Sequence, residues 1–229
     1  KATATFWESF FTERKNYSVI SNGLEIPLVD FTIDEIELVR KNLFEVEGEI
    51  VIGLVGRINR WKGQFILLEA FNNLVQKYSN LKLIFVGSTT DNQQYIVKEL
   101  NSKIQKYQIV KNVKIIPFQS NINTIWSAID IAIVPSIEPE PFGLVAVEAM
   151  LASKPVIASN HGGLKEIIEH QQTGFLVKPS NILELTNAIE LLINDKKLRL
   201  AMGQKGYNRA VKEFSIQKYV SKIEKVLTD

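Results

Sequence analysis

The chain from Glu49 onward contains six short apolar runs, and a longer amphipathic segment lies in each of the two intervals between the first three runs. The runs are EIVIGLVG (49–56), LKLIFVGS (81–88), NVKIIPF (112–118), DIAIVPS (130–136), KPVIASN (154–160) and TGFLVKP (173–179). Residues 64–78 and 91–107 repeat apolar positions three and four apart, which is the period of an amphipathic helix. Strands that are apolar on both faces and alternate with helices indicate a parallel sheet covered on both sides. We therefore expect a doubly wound, Rossmann-like α/β domain with a six-stranded parallel sheet.

The segment before the first run follows a different pattern. Residues 1–22 combine a helical stretch, up to about residue 17, with a short predicted strand, YSVIS (17–21). Residues 23–48 are weakly patterned and are predicted to be a linker. Since no earlier strand completes a domain there, we expect residues 1–22 to be the end of a domain that is missing from this chain.

Helical patterns return after the sixth run. Those near 181–194 and 196–213 complete the α/β domain, whose predicted bounds are 49–213. Residues 214–229 are predicted to form one more helix with an apolar stripe. The stripe consists of Phe214, Ile216, Tyr219, Val220, Ile223 and Val226. Because an apolar stripe requires cover, we expect this helix to pack back toward the missing domain.

Composition and charge exclude several classes of function. With 27 lysines and arginines against 25 acids, the net charge of +2 gives no general field, so we expect no nucleic-acid partner. No apolar run approaches the roughly 18 residues that span a bilayer, and the first residues, KATATFWESF, lack the features of a signal peptide. The chain has no cysteine and no Asp-x-Asp pair, and His161 and His170 have no obvious ligand partners, so we expect no metal site.

Three motifs follow predicted strands, at the edge where parallel sheets bind their ligands. The first, GRINRWKGQ (56–64), joins the first strand to its helix. Gly56 permits a sharp turn, while Arg57 and Lys62 lie where a helix N-terminus already favours an anion, so the two cations suit a diphosphate. The spacing matches neither a G-x-G-x-x-G sequence nor a P-loop. The alternative interpretation is that both cations are solvated loop charges.

The second motif, PSIEPEPFGLVAVEAM (135–150), follows the fourth predicted strand. The backbone at Gly143 and Leu144 begins a helix whose first amides are available to a phosphate. Glu148 leans toward the same helix end, and Glu140 lies in the preceding proline-stiffened loop. Since a carboxylate repels a diphosphate, we expect these acids to accept hydrogen bonds from sugar hydroxyls.

Each acid of the second motif also has a structural interpretation. Glu148 would be a buried partner of Arg57 or of a lysine. Glu140 would be a turn acid, and Glu138 would only be solvated.

The third motif, SNHGGLKEII (159–168), follows the fifth predicted strand. Gly162 and Gly163 allow the chain to pass close to a ligand, and Glu166 enters the next helix. The alternatives are helix capping by the serine or asparagine that begins the motif, and a favourable position of Glu166 at the positive helix end.

In this order the three motifs resemble those of the retaining glycosyltransferases of family 4, or group 1, which have the two-domain GT-B architecture. The resemblance rests on Gly56-Arg57 with Lys62-Gly63, on Glu140 and Glu148 around Pro141-Phe142-Gly143, and on Gly162-Gly163-x-x-Glu166. It spans roughly residues 18–228 and matches the C-terminal, nucleotide-sugar-binding domain of that family.

The resemblance implies how the diphosphate of the donor would be bound. Arg57 and Lys62 would bind it and stabilise the leaving nucleoside diphosphate, assisted by the amides of Phe142, Gly143 and Leu144. Together with Glu140, the two cations are the residues expected to act in catalysis. Enzymes of this family need no metal, which agrees with the missing Asp-x-Asp pair, and we expect no cofactor.

The resemblance also implies how the rest of the donor would be recognised. Glu148 would accept the ribose hydroxyls, and Glu140 would bind hydroxyls of the transferred sugar. The loop that follows the third predicted strand would face the base. The remaining donor-binding residues would be Gly56, Gly162, Gly163 and Glu166, and those facing the base would be Ile116, Pro117 and Phe118.

The implied reaction transfers a sugar, of the hexosyl type, from a nucleoside-diphosphate sugar to an acceptor hydroxyl with retained configuration, in polysaccharide or glycolipid synthesis. We expect this chain to bind nucleotide or nucleotide-sugar but to transfer little alone, because the acceptor domain is missing. The expected location is the cytoplasm, or the inner membrane as a peripheral protein at full length. The competing interpretations are another GT-B enzyme, such as a glycogen or starch synthase, a sucrose-phosphate synthase or a nucleotide-sugar epimerase, and a non-catalytic module that binds a partner.

Overall fold

Helices cover both faces of a six-stranded parallel sheet in the computed structural model of the chain, which describes residues 18–27 and 31–228. The strands are β1 (Ile50–Val55), β2 (Leu81–Val86), β3 (Val113–Ile116), β4 (Ile131–Val134), β5 (Val156–Ser159) and β6 (Gly174–Val177). Their order is β3-β2-β1-β4-β5-β6, and every pairing is parallel. The direction of the crossovers therefore reverses between β1 and β4, which opens a crevice at their carboxyl ends. The predicted doubly wound α/β fold is confirmed.

The helices lie between and after the strands, as the apolar periodicity predicts. They are α1 (Ile33–Val39), α2 (Gln64–Val75), α3 (Gln94–Lys106), α4 (Ile122–Ala128), α5 (Leu144–Leu151), α6 (Leu164–Ile167), α7 (Ile182–Asn194), α8 (Lys196–Phe214) and α9 (Ile216–Thr228). A π-helical turn, Arg40–Phe44, extends α1. The extra C-terminal helices are thus present.

Two hydrophobic clusters fill the space on the two faces of the sheet, and alternate residues of one strand belong to each. Ile52 of β1 packs with α2, α3 and α7 on one face, whereas Val51 packs with α4 and α5 on the other. Phe85 and Ile84 of β2 divide in the same way. A strand that buries both faces has no polar positions to alternate, so each run reads as continuously apolar.

The N-terminal part of the described chain differs from the prediction. Of the predicted strand YSVIS, Tyr17 lies outside the described residues, as does the helix predicted before it, and residues 18–21 form no strand. Instead Leu24 forms one parallel bridge with Ser215, with its N–H 2.8 Å from the carbonyl oxygen of Phe214. Gly23 makes this approach possible, because a Cβ there would lie 2.6 Å from the Cβ of Tyr219. This segment therefore packs on the junction of α8 and α9.

The stretch predicted as a linker contains α1, which begins with a capping box. The Thr32 side chain accepts a hydrogen bond from the Glu35 N–H, and the Glu35 carboxylate accepts one from the Thr32 N–H at 2.8 Å. The Thr32 N–H and the Thr32 hydroxyl both donate to the Glu35 carboxylate, and these two hydrogen bonds lower its pKa. The apolar pattern of this stretch did not predict a helix because its apolar residues do not form one buried stripe: Ile33 and Leu38 are 75% and 59% exposed.

Charged side chains connect the amino ends of the central strands to the linker. Arg40 donates to the Asp130 carboxylate at 3.1 Å and to the Ala128 carbonyl oxygen at 3.0 Å, and Asp130 also accepts from the Val51 N–H at 2.8 Å. Lys154 donates to the Ser127 carbonyl oxygen at 2.8 Å, and burial lowers its pKa to about 8. We call Arg40, Asp130 and Lys154 the amino-edge cluster. Its members are hydrogen-bonded to backbone, so the cluster fixes the linker on the sheet.

Candidate functional site

The loop between β1 and α2 contains the first motif and is fixed by backbone contacts. Gly56, at φ +146°, donates its N–H to the Val86 carbonyl oxygen at 2.9 Å. Gly87 lies so close that a Cβ on it would be 2.0 Å from the Gly56 oxygen. The fully buried Gln64 donates its side-chain amide to the Arg57 carbonyl oxygen at 2.9 Å. The exposed Arg57 guanidinium therefore extends from a backbone that is held in place.

Lys62 and Glu140 connect the first motif to the second. Lys62 Nζ lies 2.5 Å from Glu140 Oε1, and the two side chains are 22% and 14% exposed. Ser136 Oγ donates to the same carboxylate oxygen at 2.6 Å. Gly63, at φ +77°, lies so close to the Pro135 carbonyl oxygen that a Cβ would be 2.0 Å from it. The loops after β1 and β4 thus form one structural unit.

The amino end of α5 lies beside this unit and has no side-chain cap. Its N-cap is Gly143, at φ +111°, and Leu144 is 44% exposed. Uncapped amides at the positive end of a helix are hydrogen-bond donors suited to a phosphate. The helix start that the PFGL sequence predicts is therefore in place.

The glycines of the third motif contact the second motif. A Cβ on Gly162 would lie 2.4 Å from the Glu140 carbonyl oxygen, and one on Gly163 would lie 2.3 Å from that of Phe142. Gly163 also donates its N–H to the Glu140 carbonyl oxygen at 2.7 Å. The close approach expected for these glycines is thus made to the backbone of a loop. Glu166 lies in the short helix α6, whose N-cap, Gly163, makes no side-chain hydrogen bond, so the capping alternative does not apply.

A cavity of about 540 Å³ opens at the carboxyl edge of the sheet. Gly56, Arg57, Phe118 and Glu148 are the predicted residues that line it. Ile116 is buried and Pro117 is exposed, and neither belongs to its wall. Lys62, Glu140, Gly162 and Gly163 also lie outside that wall, in the adjacent unit of loops.

Glu148 faces this cavity in an environment that opposes its charge. Burial raises its pKa, and the hydrogen bond from Trp126 Nε1, 3.4 Å from Glu148 Oε2, partly offsets that effect. Within the described residues its hydrogen-bond partner is this tryptophan, so the alternative of a buried pair with Arg57 or a lysine does not apply. A desolvated carboxylate with one long hydrogen bond has capacity for further donors, such as hydroxyl groups.

The loop after β2 supplies a wall of the cavity that the sequence interpretation missed. Gly87, Ser88, Thr89 and Thr90 line it, and Ser88 Oγ accepts a hydrogen bond from the Phe118 N–H at 3.0 Å. These small polar residues have no charge to mark them. Their position directly after an apolar run was the available signal, because all strands of a parallel sheet end at the same edge.

Two kinds of feature are absent from residues 18–27 and 31–228. No group of three or more His, Asp or Glu side chains is placed to bind a metal ion. No helix in these ranges has the length and apolar content needed to cross a membrane.

Comparison with known sequences gives a consistent result. The family model described as glycosyl transferases group 1 matches residues 35–209. The capsular polysaccharide biosynthesis glycosyltransferase CapM of Staphylococcus aureus is 31% identical over 202 residues, which are 86% of this chain and 50% of CapM. A D-inositol 3-phosphate glycosyltransferase of Corynebacterium aurimucosum is 28% identical over 97% of this chain and 53% of its own length. The chain thus spans about half the length of the curated relatives it matches.

Solved structures agree with the sequence matches. HepE from Anabaena, in its complex with UDP-glucose, superimposes with a TM-score of 0.86 and 34% identity over 92% of this chain and 57% of HepE. The C-terminal domain of a glycosyl transferase group 1 family protein, LpcC from Francisella tularensis, gives a TM-score of 0.76 and 29% identity, over 85% of this chain and 100% of that domain.

Proposed function

The chain belongs to the group 1 glycosyl transferases, and from that premise we propose that it is the donor-binding domain of a retaining glycosyltransferase with GT-B architecture. The proposed enzyme transfers a hexosyl group from a nucleoside-diphosphate sugar to an acceptor hydroxyl. One observation supports this most directly: Arg57 and Glu148 line the same cavity at the carboxyl edge of the sheet. A cation and a desolvated acid in one cavity suit a ligand with both phosphate and hydroxyl groups.

The diphosphate is proposed to bind to Arg57, Lys62 and the first amides of α5. Arg57 is exposed and Lys62 is 22% exposed, so both are available to an anion from the cleft. When the bond to the sugar breaks, negative charge develops on the leaving diphosphate, and fixed cations and peptide dipoles stabilise it. In this proposal they supply the stabilisation, and the reaction needs neither a metal nor another cofactor.

The hydroxyl groups of the donor are proposed to bind to the two acids. Glu148 accepts the ribose hydroxyls. Glu140 binds the transferred sugar through Oε2, because its Oε1 already receives Lys62 and Ser136. Phe118, which is 72% exposed beside the cavity, packs against the base.

The acceptor is proposed to bind to a domain outside this chain. The matched relatives are about twice as long as the matched segment, and the LpcC domain matches along its whole length. This supports a unit that folds alone, binds the donor and lacks part of the catalytic cleft. We therefore expect little or no sugar transfer by the isolated chain.

Calorimetric titration of the chain with UDP, GDP and ADP tests the donor site. At least one should bind, and Arg57→Ala should weaken it by about ten- to a hundredfold, since a hydrogen bond to a charged group contributes about 1.5–3 kcal/mol. The corresponding nucleoside should be unaffected by this change, whereas Glu148→Ala should weaken nucleoside and diphosphate alike.

The matched control is Arg60→Ala. Arg60 belongs to the same loop, but it pairs with Glu99 and lies over the Phe65 ring, so its loss should leave affinity unchanged. Failure of all three nucleotides to bind, or equal effects of Arg57→Ala on nucleoside and diphosphate, would contradict the proposal.

A non-catalytic binding module is the second candidate. It is favoured by α9, where Val220, Val226 and Leu227 are 44%, 48% and 79% exposed. Absence of nucleotide binding together with capture of a partner through α9 would favour this module. A panel of sugar donors with product analysis separates the proposed enzyme from other GT-B enzymes.

A further inference from the structure

His161 hydrogen-bonds the loop that contains Glu140. Its Nε2 lies 2.7 Å from the carbonyl oxygen of Ser136. A carbonyl oxygen only accepts, so Nε2 bears the proton and donates. Ser136 Oγ in turn donates to Glu140 Oε1, the oxygen that also receives Lys62 Nζ. Two consecutive hydrogen bonds and one residue of backbone thus connect the imidazole ring to the charged pair.

The second ring nitrogen of His161 has no such partner. Nδ1 is buried and makes no hydrogen bond within the described part of the chain. In the neutral ring with a proton on Nε2, this nitrogen is an acceptor, and leaving a buried acceptor unpaired is destabilising. Packing alone does not account for a histidine at this position. The hydrogen bond that Nε2 donates to the Ser136 carbonyl oxygen is the interaction that accounts for the histidine.

The backbone next to His161 also hydrogen-bonds the loop that contains Glu140. Gly163 donates its N–H to the Glu140 carbonyl oxygen at 2.7 Å, so the loop after β5 binds both Ser136 and Glu140 through their carbonyl groups. The Glu140 carboxylate then has its position set by Ser136 Oγ on one side. Its Oε2 receives no donor from the described residues and is left for a ligand hydroxyl.

We propose that His161 is a positioning residue, which acts through Ser136 to orient the Glu140 carboxylate toward the transferred sugar. This inference rests on the proposed function, because it concerns the sugar-binding part of the same site. His161 does not line the cavity that is proposed to hold the nucleotide. Its loss therefore changes the affinity for UDP-glucose relative to that for UDP and leaves the affinity for UDP itself unchanged.

Two substitutions of His161 separate positioning from packing. His161→Gln extends an amide N–H to about the position of Nε2 and keeps the donation to Ser136. His161→Asn reaches only about as far as Nδ1 and loses it. Ser136→Ala breaks the next hydrogen bond without altering the histidine. His170→Gln is the control, because His170 accepts the Leu176 N–H through Nδ1 and has no described link to Glu140.

Calorimetric titration of each variant with UDP and with UDP-glucose provides the readout. We expect His161→Asn and Ser136→Ala to raise the Kd for UDP-glucose about three- to tenfold, the equivalent of one net hydrogen bond. The Kd for UDP should stay the same, and His161→Gln and His170→Gln should behave as the unmodified chain. Equal changes for both ligands, or no change in His161→Asn and Ser136→Ala, would overturn the positioning role while leaving the proposed function intact. If the chain binds GDP or ADP in place of UDP, the corresponding nucleoside-diphosphate glucose replaces UDP-glucose in these titrations. If it binds none of the three nucleotides, both proposals fail.

The tautomer of His161 gives a second, ligand-free test. The chain has two histidines, so nitrogen NMR of the labelled rings resolves each one, with His161→Asn assigning the signals. A proton on Nε2 is required by the bond to Ser136. A proton on Nδ1 alone would exclude that bond and overturn the inference, whether or not any variant binds ligand.

Discussion

The two edges of the sheet both contain charged side chains, but only one edge leaves them available. At the amino edge, Arg40 and Asp130 bind each other and three backbone groups besides. At the carboxyl edge, Arg57 is exposed, and Glu148 has its pKa raised by burial with one long hydrogen bond to offset it. The same residue types thus stabilise the fold at one edge and are free to bind a ligand at the other. Whether backbone groups supply their hydrogen-bond partners determines which of these two roles the charged side chains have.

The two edges also differ in where glycines adopt positive φ. Within the described ranges, the glycines with positive φ all follow strands at the carboxyl edge, namely Gly56, Gly63, Gly87, Gly143 and Gly162. The other residues with positive φ are Glu45, Gln108, Ser153 and Gln171, which precede strands, and Ser180, which follows β6, all with φ between +58° and +63°. These values lie in the left-handed region that residues other than glycine tolerate. Close approach to the backbone of another loop explains Gly63, Gly87 and Gly162, whereas Gly56, whose Cβ would meet no atom within 4 Å, is required by its φ of +146°.

The largest expected effect comes from breaking the amino-edge cluster. Asp130→Ala should lower the free energy of unfolding by about 3 kcal/mol, because it leaves the Arg40 guanidinium and the Val51 N–H without their partner. Urea denaturation measures this change. Affinity for a nucleoside diphosphate should not change, since the cluster lies at the opposite edge from the cavity. A loss below 1 kcal/mol, or a large change in affinity, would contradict the division between the edges.

A smaller effect is expected at the junction of the two loops of the site. Gly63→Ala should destabilise the chain by about 2 kcal/mol, because φ is +77° and the new Cβ meets the Pro135 carbonyl oxygen at 2.0 Å. It should also weaken nucleotide binding, since Lys62 is displaced with the loop. Gly48→Ala is the control: no atom lies within 4 Å of its Cβ, so stability should hold or rise.

Removing the charge of Glu148 at the carboxyl edge should raise the stability of the chain rather than lower it. Glu148→Gln should stabilise the ligand-free chain by about 1 kcal/mol at pH 7 while weakening nucleotide binding. Because the folded-state pKa of Glu148 is raised, protonation favours the folded state, and the stability due to that proton is lost as pH rises through the folded pKa. The difference between variant and unmodified chain should therefore shrink toward pH 4. Thermal unfolding at several pH values checks this, and a constant difference would contradict it.

The smallest effect is expected for an exposed ion pair that belongs neither to the amino-edge cluster nor to the cavity wall. Lys77 Nζ lies 3.3 Å from Glu190 Oε1, and the Lys77 side chain is 60% exposed. Lys77→Ala should change the free energy of unfolding by less than about 0.5 kcal/mol, because exposed ion pairs are screened by water. It should not alter nucleotide affinity. Urea denaturation beside Asp130→Ala provides the scale, and an equal effect would remove the contrast.

Most of the fold could be predicted from the sequence because each strand is buried on both faces and therefore reads as one apolar run. Helix α1 was missed for the opposite reason, since it buries few side chains and its main signal is the Thr32–Glu35 capping box. The strand predicted at YSVIS failed over residues 18–21 because β-rich composition does not supply a neighbouring strand. Its place is taken by one bridge at Leu24.

Charge marked only part of the cavity. Arg57 and Glu148 line it, but Lys62 and Glu140, which are also charged, lie outside its wall, and the loop at Gly87 was missed because it has no charged residue. The roles assigned to the site residues stay predictions. Sequence position also cannot distinguish a glycine that admits a ligand from one that admits another loop, as Gly162 does.

The strand order has a consequence for biosynthesis. β1 is the first of the six strands to be translated, yet it occupies an interior position, and its second neighbour, β4, ends only at Val134. During translation the backbone N–H and C=O groups along one edge of β1 consequently stay unpaired until β4 has emerged from the ribosome. Nascent chains that expose an unpaired strand edge are prone to aggregate. Slow elongation between β3 and β4 should therefore lower the soluble yield, and a chaperone acting in that interval should restore it.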